Sequence, residues 1–525
     1  MNRSENYNKI IRMKQKFIIG ILIILFLLFL SVILLFKYSH SITYVSDNVS
    51  GILEAHSFLN GNVLLHLFAL STDNFYLTDL PFYILYEIFA GINPLEISFV
   101  PILIYSLLII FSSFLVSLDF KDIKSKLTSI VVTIILLGFP SFFLLDQTLM
   151  GQIHIGTILY IIISFIFLKL FYEKNNYWYL IPLFISEFIY LLSDPLSIWI
   201  GALPIIVTSL ILLKQHKKHI YLGISSIIIT TLNIILTKLA IPFIQSIGGF
   251  HTVAPQKYQF SHLSKIPERI YFATNSIFYY FGAHFFGKKL FLPSTFEELI
   301  KALMILLLLY FIYKVIKEKK FSVINILLLS AIIFNLSAFI FSNLVKNMSF
   351  GRYMIPFVIF SFIFIAINLV PLLKNRIVLY ISILFSLFFI FSFIYRVGHF
   401  PNSPTIHDNK KLVQTLRQNH LKYGIGTYWD SSITTVLSSN KIKVRAVLVE
   451  PNVIYPLIWL SSTKWYREKN HKFNFFIFGE NKYDKTSMDY SVAVMLFGKP
   501  YKVYHISNFT LLIWKHSIND TLNTL

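Results

Sequence analysis

Apolar segments of membrane-spanning length recur along the chain, and they constrain its fold more than any other feature of the sequence. A helix needs roughly 20 mostly apolar residues to cross about 30 Å of hydrocarbon. The first such segment is 17–36, and others lie near 95–118, 127–145, 153–171, 177–193, 195–213, 219–241, 299–317, 321–343, 352–373 and 376–396. Residues 1–396 are therefore predicted to form a polytopic α-helical membrane domain with about eleven transmembrane helices.

The composition agrees with this fold class. Of the 525 residues, 56% are hydrophobic and 14% are charged, whereas soluble domains are about 45–50% apolar and about 25% charged. These proportions exclude an ordinary soluble enzyme and a disordered chain. The chain contains no cysteine, which excludes disulfides and thiol nucleophiles.

The positive charges indicate an orientation. Lys and Arg are concentrated in the segments 12–16, 121–126, 173–176, 214–219, 314–320 and 374–376. These are the N-terminus and alternate connections between the predicted helices, so the positive-inside rule places that side in the cytoplasm. Much of the net charge of +21 thus sets orientation, and we expect no nucleic-acid partner.

Three long segments remain for the external side: a first loop at 38–94, a second loop at 242–298 and a tail at 397–525. In the tail, the pattern predicts a helix over 407–424 and short strands over 425–429, 442–449, 473–478, 492–497 and 510–514. The tail is therefore predicted to be a small extracytoplasmic α/β domain docked on the membrane part.

The first loop holds an unusual share of the chain's acidic residues. Five of the 25 acids lie there, namely Asp47, Glu54, Asp73, Asp79 and Glu87. Ser46 or Asp47 is expected to cap a helix that runs to about Leu59 and is closed by Asn60-Gly61. Because that helix is amphipathic, we expect it to lie along the membrane surface.

The chain resembles the GT-C superfamily of membrane glycosyltransferases, including the protein-mannosyltransferase and aminoarabinose-transferase types. Members have a cytoplasmic N-terminus and an acidic residue just after helix one, followed by a surface helix. The corresponding acid here is Asp47, in SDNVSGILEAHSFLNGN, although Asn48 follows it where several members carry an acidic dyad. Residues 351–356, GRYMIP, are similar to the RY-x-x-P stretch that opens a late helix, and 421–447 looks like the tail of bacterial members.

The resemblance implies an inverting glycosyltransferase at the outer face of a bacterial cytoplasmic membrane. It would move a sugar from a polyprenyl-phosphate donor to a glycan, lipid or protein acceptor. Asp47 would act as the general base, and Arg352, with Tyr353 beside it, would hold the leaving phosphate. The use of a divalent metal stays open, but no HxxxH or HExxH spacing supports a metal site, so we expect no cofactor.

Each of these candidates, and of the further candidates for substrate binding, also has a purely structural interpretation. Asp47, Asp73, Asp79 and Asp194 could be caps or turn residues, Glu54 could be structural, and Arg352 could be an interfacial anchor. The second loop is basic and aromatic, as a phosphate-binding surface or an ordinary juxtamembrane belt would be. The further candidates for substrate binding are Asp79, Glu54, Asp73, His154, Asp194, His251, Lys257, Arg269 and His284.

Two other function classes remain open, a transporter or flippase of lipid-linked glycans and a non-catalytic membrane scaffold. Transporters commonly show broken helices at the midplane and internally repeated halves. Here the spans are nearly free of mid-membrane charge, no repeat is visible, and the polar residues are concentrated in the external loops. These features favour the enzyme.

Overall fold

The computed structural model describes residues 3–215, 220–253, 259–289, 291–319, 321–450, 453–467, 472–479 and 490–519. Eight of the described helices are long and apolar enough to cross a membrane, and a bent pair makes up to nine. The helices are α1 (Arg3–Ser39), α2 (Ser50–Leu59), α3 (Leu80–Ala90), α4 (Glu96–Ser117), α5 (Ile123–Gly138), α6 (Phe142–Thr148), α7 (Ile155–Lys174), α8 (Leu180–Ser193), α9 (Leu203–Gln215), α10 (Ile220–Ser246), α11 (Ile266–Phe281), α12 (Pro293–Lys317), α13 (Val323–Phe341), α14 (Ile355–Leu369), α15 (Arg376–His399), α16 (Pro404–Gln418), α17 (Tyr428–Leu437), α18 (Lys464–Arg467) and α19 (Tyr490–Phe497).

The predicted count of eleven spans is not confirmed, and the differences lie at helix breakers. The segment predicted at 127–145 is the pair α5 and α6, which is bent by 82°. The bend falls at Pro140, which cannot continue a helix ladder, and Ser141 then caps α6 by accepting a hydrogen bond from the backbone N–H of Leu144. The segments 177–193 and 198–214 are shorter apolar helices, separated near Asp194-Pro195.

The spans divide into central and peripheral helices. In α7 and in residues 348–374, which contain α14, 78% of an 18-residue apolar stretch is buried inside the protein. The corresponding value is 6% in α15 and 17% in both α10 and α12. Because apolar helices with exposed faces need a nonpolar solvent, the peripheral helices are suited to contact lipid, while α7 and α14 form the packed centre.

The tail forms a six-stranded sheet with helices against it. Its strands are β3 (Tyr423–Gly426), β4 (Lys443–Glu450), β5 (Val453–Pro456), β7 (Phe475–Gly479), β8 (Lys502–Ile506) and β9 (Phe509–Ile513), and they lie in the order β5-β4-β3-β7-β9-β8. β3 is parallel to β4 and β7, whereas the other pairs are antiparallel. The tail is therefore a small strand-containing region, as predicted.

Three local predictions in the tail are wrong. Segment 492–497 was predicted as a strand but lies in α19, and residues 428–429 open α17 instead of continuing β3. The helix predicted over 407–424 ends at Gln418, and His420 then takes a left-handed conformation with φ 55°. Short apolar runs fit a buried strand and a buried helix equally well, so packing decides between them.

The first loop is covered by the tail. Residues 50–55 of α2 are all buried, and α2 contacts α3 and α17. The amphipathic surface helix predicted here is therefore enclosed by protein along its first half. It ends at Leu59 as predicted, but its N-cap is Val49 without a side-chain cap, so the predicted capping role of Ser46 or Asp47 is wrong.

A three-stranded sheet joins the long segments. β1 (Phe68–Leu70) belongs to the first loop, β2 (His251–Thr252) to the second loop and β6 (Ser461–Ser462) to the tail. β1 lies between the other two, parallel to β2 and antiparallel to β6. These backbone hydrogen bonds tie both loops and the tail into one layer at one end of the helices.

Candidate functional site

Four of the predicted site residues lie at the ends of different helices. Asp47 lies in the turn Ser46–Val49 directly before α2, His154 immediately precedes α7, Asp194 immediately follows α8, and Arg352 lies just before α14. His154 and Asp194 are hydrogen-bonded, and the charge of Arg352 acts on both His154 and Asp47. The fold therefore gathers these helix ends at one end of the bundle, where the first loop adds further carboxylates.

The deepest part of this cluster is a histidine between two aspartates. The Nδ1 atom of His154 lies 2.7 Å from Oδ2 of Asp194, and both residues are buried. One ligand atom each of Asp73, His154 and Asp194 lies within 4.8 Å of the others. Oδ1 of Asp194 also accepts the backbone N–H of Leu196 at 2.9 Å, so Asp194 serves as a turn residue and as a partner of His154.

The backbone at this cluster is unusual. His154 has φ 49° and Phe75 has φ 50°, in the left-handed region that non-glycine residues rarely adopt. The two rings are in edge contact, with centroids 5.8 Å apart. Such conformations persist only where the surrounding structure fixes them, and they are concentrated at functional sites.

The pKa values in the cluster reflect burial among like and opposite charges. Burial and the nearby Asp194 raise the pKa of Asp73 to about 6, although His154 and Arg352 oppose the rise. Burial lowers the pKa of His154, but the attraction of Asp194 outweighs it and leaves the pKa above its usual value. The hydrogen bond to Asp194 thus stabilises the protonated form of the imidazole.

Asp73, His154 and Asp194 could also bind a divalent cation, since their ligand atoms converge and carboxylate and imidazole are common metal ligands. The positive charge of Arg352 already acts on two of these residues, Asp73 and His154. The expectation that the chain uses no metal stays a prediction.

Asp47 lies at the rim of the cluster and is completed by the tail. Its Oδ1 accepts a short hydrogen bond from the hydroxyl of Tyr428, the first residue of α17. One edge of Asp47 is exposed, but burial of much of its carboxyl group raises its pKa, while the Tyr428 hydrogen bond and the Arg352 charge oppose the rise. The carboxylate is thus open to a substrate and held in place by a residue 381 positions away.

Sequence reasoning missed Tyr428, because 425–429 reads as a strand. A signal was available in Thr427-x-x-Asp430, which follows the pattern that opens many helices. The Thr427 hydroxyl does donate to Oδ2 of Asp430 at 3.0 Å. That pattern predicts the start of α17 but not its docking against Asp47.

The position of Arg352 is fixed by its neighbours. A Cβ atom at Gly351 would lie 2.7 Å from Oγ of Ser276, so a larger residue there would require the Ser276 hydroxyl on α11 to move away. On the other side, the side chain of Asn335 donates to the Tyr353 carbonyl and accepts from the Phe357 N–H, both at 3.0 Å. Arg352 itself is exposed, with its guanidinium 5.6 Å from the Tyr353 ring centre.

Two further predicted residues, Asp79 and Glu54, lie next to this site. Burial raises the pKa of each carboxyl to about 7. Oε2 of Glu54 accepts a hydrogen bond from Gln152 at 3.0 Å. Oδ2 of Asp79 is buried without a hydrogen-bond partner among the described residues, and it packs so close to Gly156 that a Cβ there would clash.

Three predicted residues of the second loop have contacts elsewhere in the fold. His251 lies on β2 opposite Ala69, Arg269 is buried in α11, and His284 contacts the ring of Tyr279. Among the described residues, no hydrogen bond or ion pair joins these three to the cluster. Lys257 lies outside the described residues.

Comparisons with known proteins do not assign the chain to a family. No known protein family matches the chain, and no curated protein matches it either.

Proposed function

We propose that the chain is an inverting glycosyltransferase that moves a sugar from a polyprenyl-phosphate donor to an acceptor outside the cytoplasmic membrane of a bacterium. One observation carries this proposal. An exposed carboxylate, Asp47, and an exposed guanidinium, Arg352, lie at neighbouring helix ends and interact electrostatically. A base and a phosphate-binding cation are the two groups that such a transfer requires.

The proposed chemistry follows from the charges of the two groups. Asp47 accepts the proton of an acceptor hydroxyl as the oxygen attacks the anomeric carbon. The bond from that carbon to the phosphate oxygen breaks on the opposite face, which inverts the configuration. Arg352 stabilises the negative charge that develops on the departing polyprenyl phosphate. Asp73, whose carboxyl group is influenced by the charge of Arg352, and Tyr353, whose ring lies beside the Arg352 guanidinium, are proposed to contact the sugar.

The proposal includes an orientation and a span count. The N-terminus and the basic turns are cytoplasmic, whereas the site and the tail are external. The eight spans, the bent pair and the shorter apolar helices at 177–193 and 198–214 together give eleven crossings. Eleven is an odd number of crossings, so it places the N-terminus and the tail on opposite sides of the membrane, as the proposed orientation requires.

The surface glycans of a deletion strain test the proposal. We expect mass analysis to show a glycan lacking one sugar, restored by the wild-type gene and not by Asp47→Asn. Asp122→Asn is the matched control, because Asp122 caps α5 in a basic turn and asparagine caps a helix equally well. Restoration of the glycan by Asp47→Asn would contradict the proposal.

A further inference from the structure

A buried arginine of the second loop, Arg269, forms no hydrogen bond or ion pair with any other described residue. It lies in the first part of α11 and is only 7% exposed, and its Nη1 atom is buried without a hydrogen-bond partner. The charge of Glu268 acts on it, but that carboxylate is itself paired with Lys265 at 3.1 Å. A guanidinium stays charged and carries several N–H donors, so burying it without an acceptor is unfavourable.

Arg269 belongs to the face of α11 that packs against the protein. The buried residues of this face recur every three or four positions, as one side of a helix requires, at Arg269, Ala273, Ser276 and Tyr280. The helix contacts α13 and the turn Met348–Met354, which carries Arg352. Because helical side chains lean towards the N-terminus of their helix, the guanidinium lies towards the start of α11, where the positive end of the helix dipole also favours an anion.

The start of α11 lies close to the end of a helix of membrane-spanning length. Just before α11, Phe260 forms a β-bridge with Ser342, and the Ser261 N–H donates to the Phe341 carbonyl at 2.8 Å. The helix α13 is long and apolar enough to cross a membrane, and it ends at Phe341. The boundary between hydrocarbon and lipid headgroups is therefore expected near Arg269.

The residues on either side of Arg269 in the sequence expose large hydrophobic side chains. Phe260 and Leu263 are 86% and 87% exposed, and Ile270 and Tyr271 are exposed as well. Side chains of this size are more stable in hydrocarbon than in water. A cation without a partner among exposed hydrophobic groups is suited to a lipid, because a phosphate accepts hydrogen bonds from a guanidinium and the lipid chains can cover the hydrophobic groups.

We propose that Arg269 binds the phosphate group of a membrane lipid, with the lipid chains against Phe260, Leu263 and Ile270. Phospholipids and polyprenyl phosphates share this chemistry. The site is separate from the one proposed around Asp47 and Arg352. Arg269 is seven residues before Ser276, where α11 meets Gly351 of the turn, which is about 10 Å along the helix. The inference does not rest on the proposed glycosyltransferase function.

Lipid binding to the delipidated full chain in detergent tests the inference. Native mass spectrometry compares polyprenyl phosphate with polyprenol and phosphatidylglycerol with diacylglycerol, so each phosphate lipid has a counterpart without phosphate. The protein is Arg352→Gln, because Arg352 is the phosphate-binding cation of the proposed active site. We expect at least one phosphate lipid to bind more tightly than its counterpart. Tighter binding of polyprenyl phosphate or of phosphatidylglycerol would identify which of the two lipids the site takes.

Variants at position 269 locate the binding. Arg269→Gln, added to Arg352→Gln, should weaken the phosphate lipid about tenfold and leave its counterpart unchanged, whereas Arg269→Lys keeps the charge and should retain part of the affinity. Lys289→Gln is the matched control, since it removes one exposed positive charge from the same loop. Equal affinity for lipids with and without phosphate, or an unchanged affinity after Arg269→Gln, would overturn the inference.

Thermal unfolding gives an independent measurement. A lipid that binds the folded protein raises its Tm, so phosphatidylglycerol should raise the Tm of the wild type more than diacylglycerol does, unless the site prefers polyprenyl phosphate, in which case the same comparison is made with polyprenol. In Arg269→Gln this difference should disappear. An equal difference in both proteins would overturn the inference, whatever the Tm of Arg269→Gln is without lipid.

Discussion

At the scale of single residues, the protonation of Asp47 is set by opposing influences. Burial of its carboxyl group raises the pKa of Asp47, whereas the Tyr428 hydroxyl and the Arg352 charge stabilise the ionised form. A general base must be deprotonated before it can accept a proton. The working pH range of the proposed enzyme should therefore depend on Tyr428, a residue of the tail.

Tyr428→Phe tests this dependence. Loss of the hydroxyl removes a hydrogen bond to the Asp47 carboxylate, so the pKa of Asp47 should rise further and the acid limb of the rate profile should move to higher pH. Transfer should fall at pH 6 and recover towards pH 8. Tyr504→Phe is the control, because that hydroxyl donates to Asn419 elsewhere in the tail. An equal loss of transfer activity at every pH would contradict the predicted role of Tyr428.

Glu54 links the site to stability. Burial raises its pKa from 4.5 to about 7. Between these values the unfolded chain releases the proton while the folded chain keeps it, so stability falls as pH rises from about 4.5 to about 7 and then levels off. A tenfold change in proton affinity is worth about 1.4 kcal/mol, so the effect is on the order of a few kcal/mol.

Glu54→Gln should remove this dependence, since the side chain is then neutral at every pH. In thermal unfolding of the detergent-solubilised protein, the wild type should lose more Tm between pH 5 and pH 8 than the variant does. The control is Glu268→Gln, at an exposed position on α11 paired with Lys265. Parallel pH dependences in Glu54→Gln and the wild type would show that Glu54 does not carry the effect.

Several site residues could be predicted from the sequence, but their partners could not. Asp47, His154, Asp194 and Arg352 are polar residues at the ends of apolar segments, and the alternation of basic turns places those ends on one side. The pairing of Tyr428 with Asp47 depends on how the tail docks. No local pattern encodes that docking, because the contact joins residues 381 positions apart.

At the scale of helices, the start of α14 depends on one buried amide. In an uninterrupted helix the Phe357 N–H would donate to the Tyr353 carbonyl, but the side chain of Asn335 on α13 bonds both groups instead. This bridge fixes the turn that presents Arg352. Apolar periodicity predicts that both helices exist but not that an amide lies between them.

Asn335→Leu tests whether this bridge positions Arg352 for the donor or only stabilises the fold. It leaves a donor and an acceptor without a partner, which costs about 1–3 kcal/mol each, and it frees the turn that carries Arg352. We expect a lower Tm together with a several-fold higher KM for the lipid-linked donor. Asn325→Leu is the control, because Asn325 lies at the other end of α13 and accepts from Asn368. A lower Tm with an unchanged KM in Asn335→Leu would show that the bridge is only structural.

At the scale of the whole molecule, apolar length and charge predict a multi-span helical protein with a small strand-containing tail. The details that differ depend on packing. Pro140 bends one predicted span by 82°, and an apolar run in the tail forms α19 instead of a strand. Each is a place where local hydrophobicity is compatible with two structures and tertiary contacts decide.

The orientation can be measured directly, because the chain has no cysteine. Single cysteines replace Lys441, exposed in the tail, and Lys374, exposed in a basic turn. A membrane-impermeant maleimide should label Lys441→Cys in cells whose cytoplasmic membrane is intact, and Lys374→Cys only after that membrane is permeabilised. The reverse pattern would place the proposed site in the cytoplasm.

If Asp47 is the base of a sugar transfer, its replacement should stop the transfer reaction of the purified protein in proteoliposomes. Purified wild type, Asp47→Asn and Asp122→Asn are supplied with radiolabelled polyprenyl-phosphate hexoses and with envelope glycan from the deletion strain. We expect Asp47→Asn to insert normally but to transfer label at least about a hundredfold more slowly, and we expect Asp122→Asn to match the wild type. Transfer by Asp47→Asn at the wild-type rate would contradict the role of Asp47 as the base.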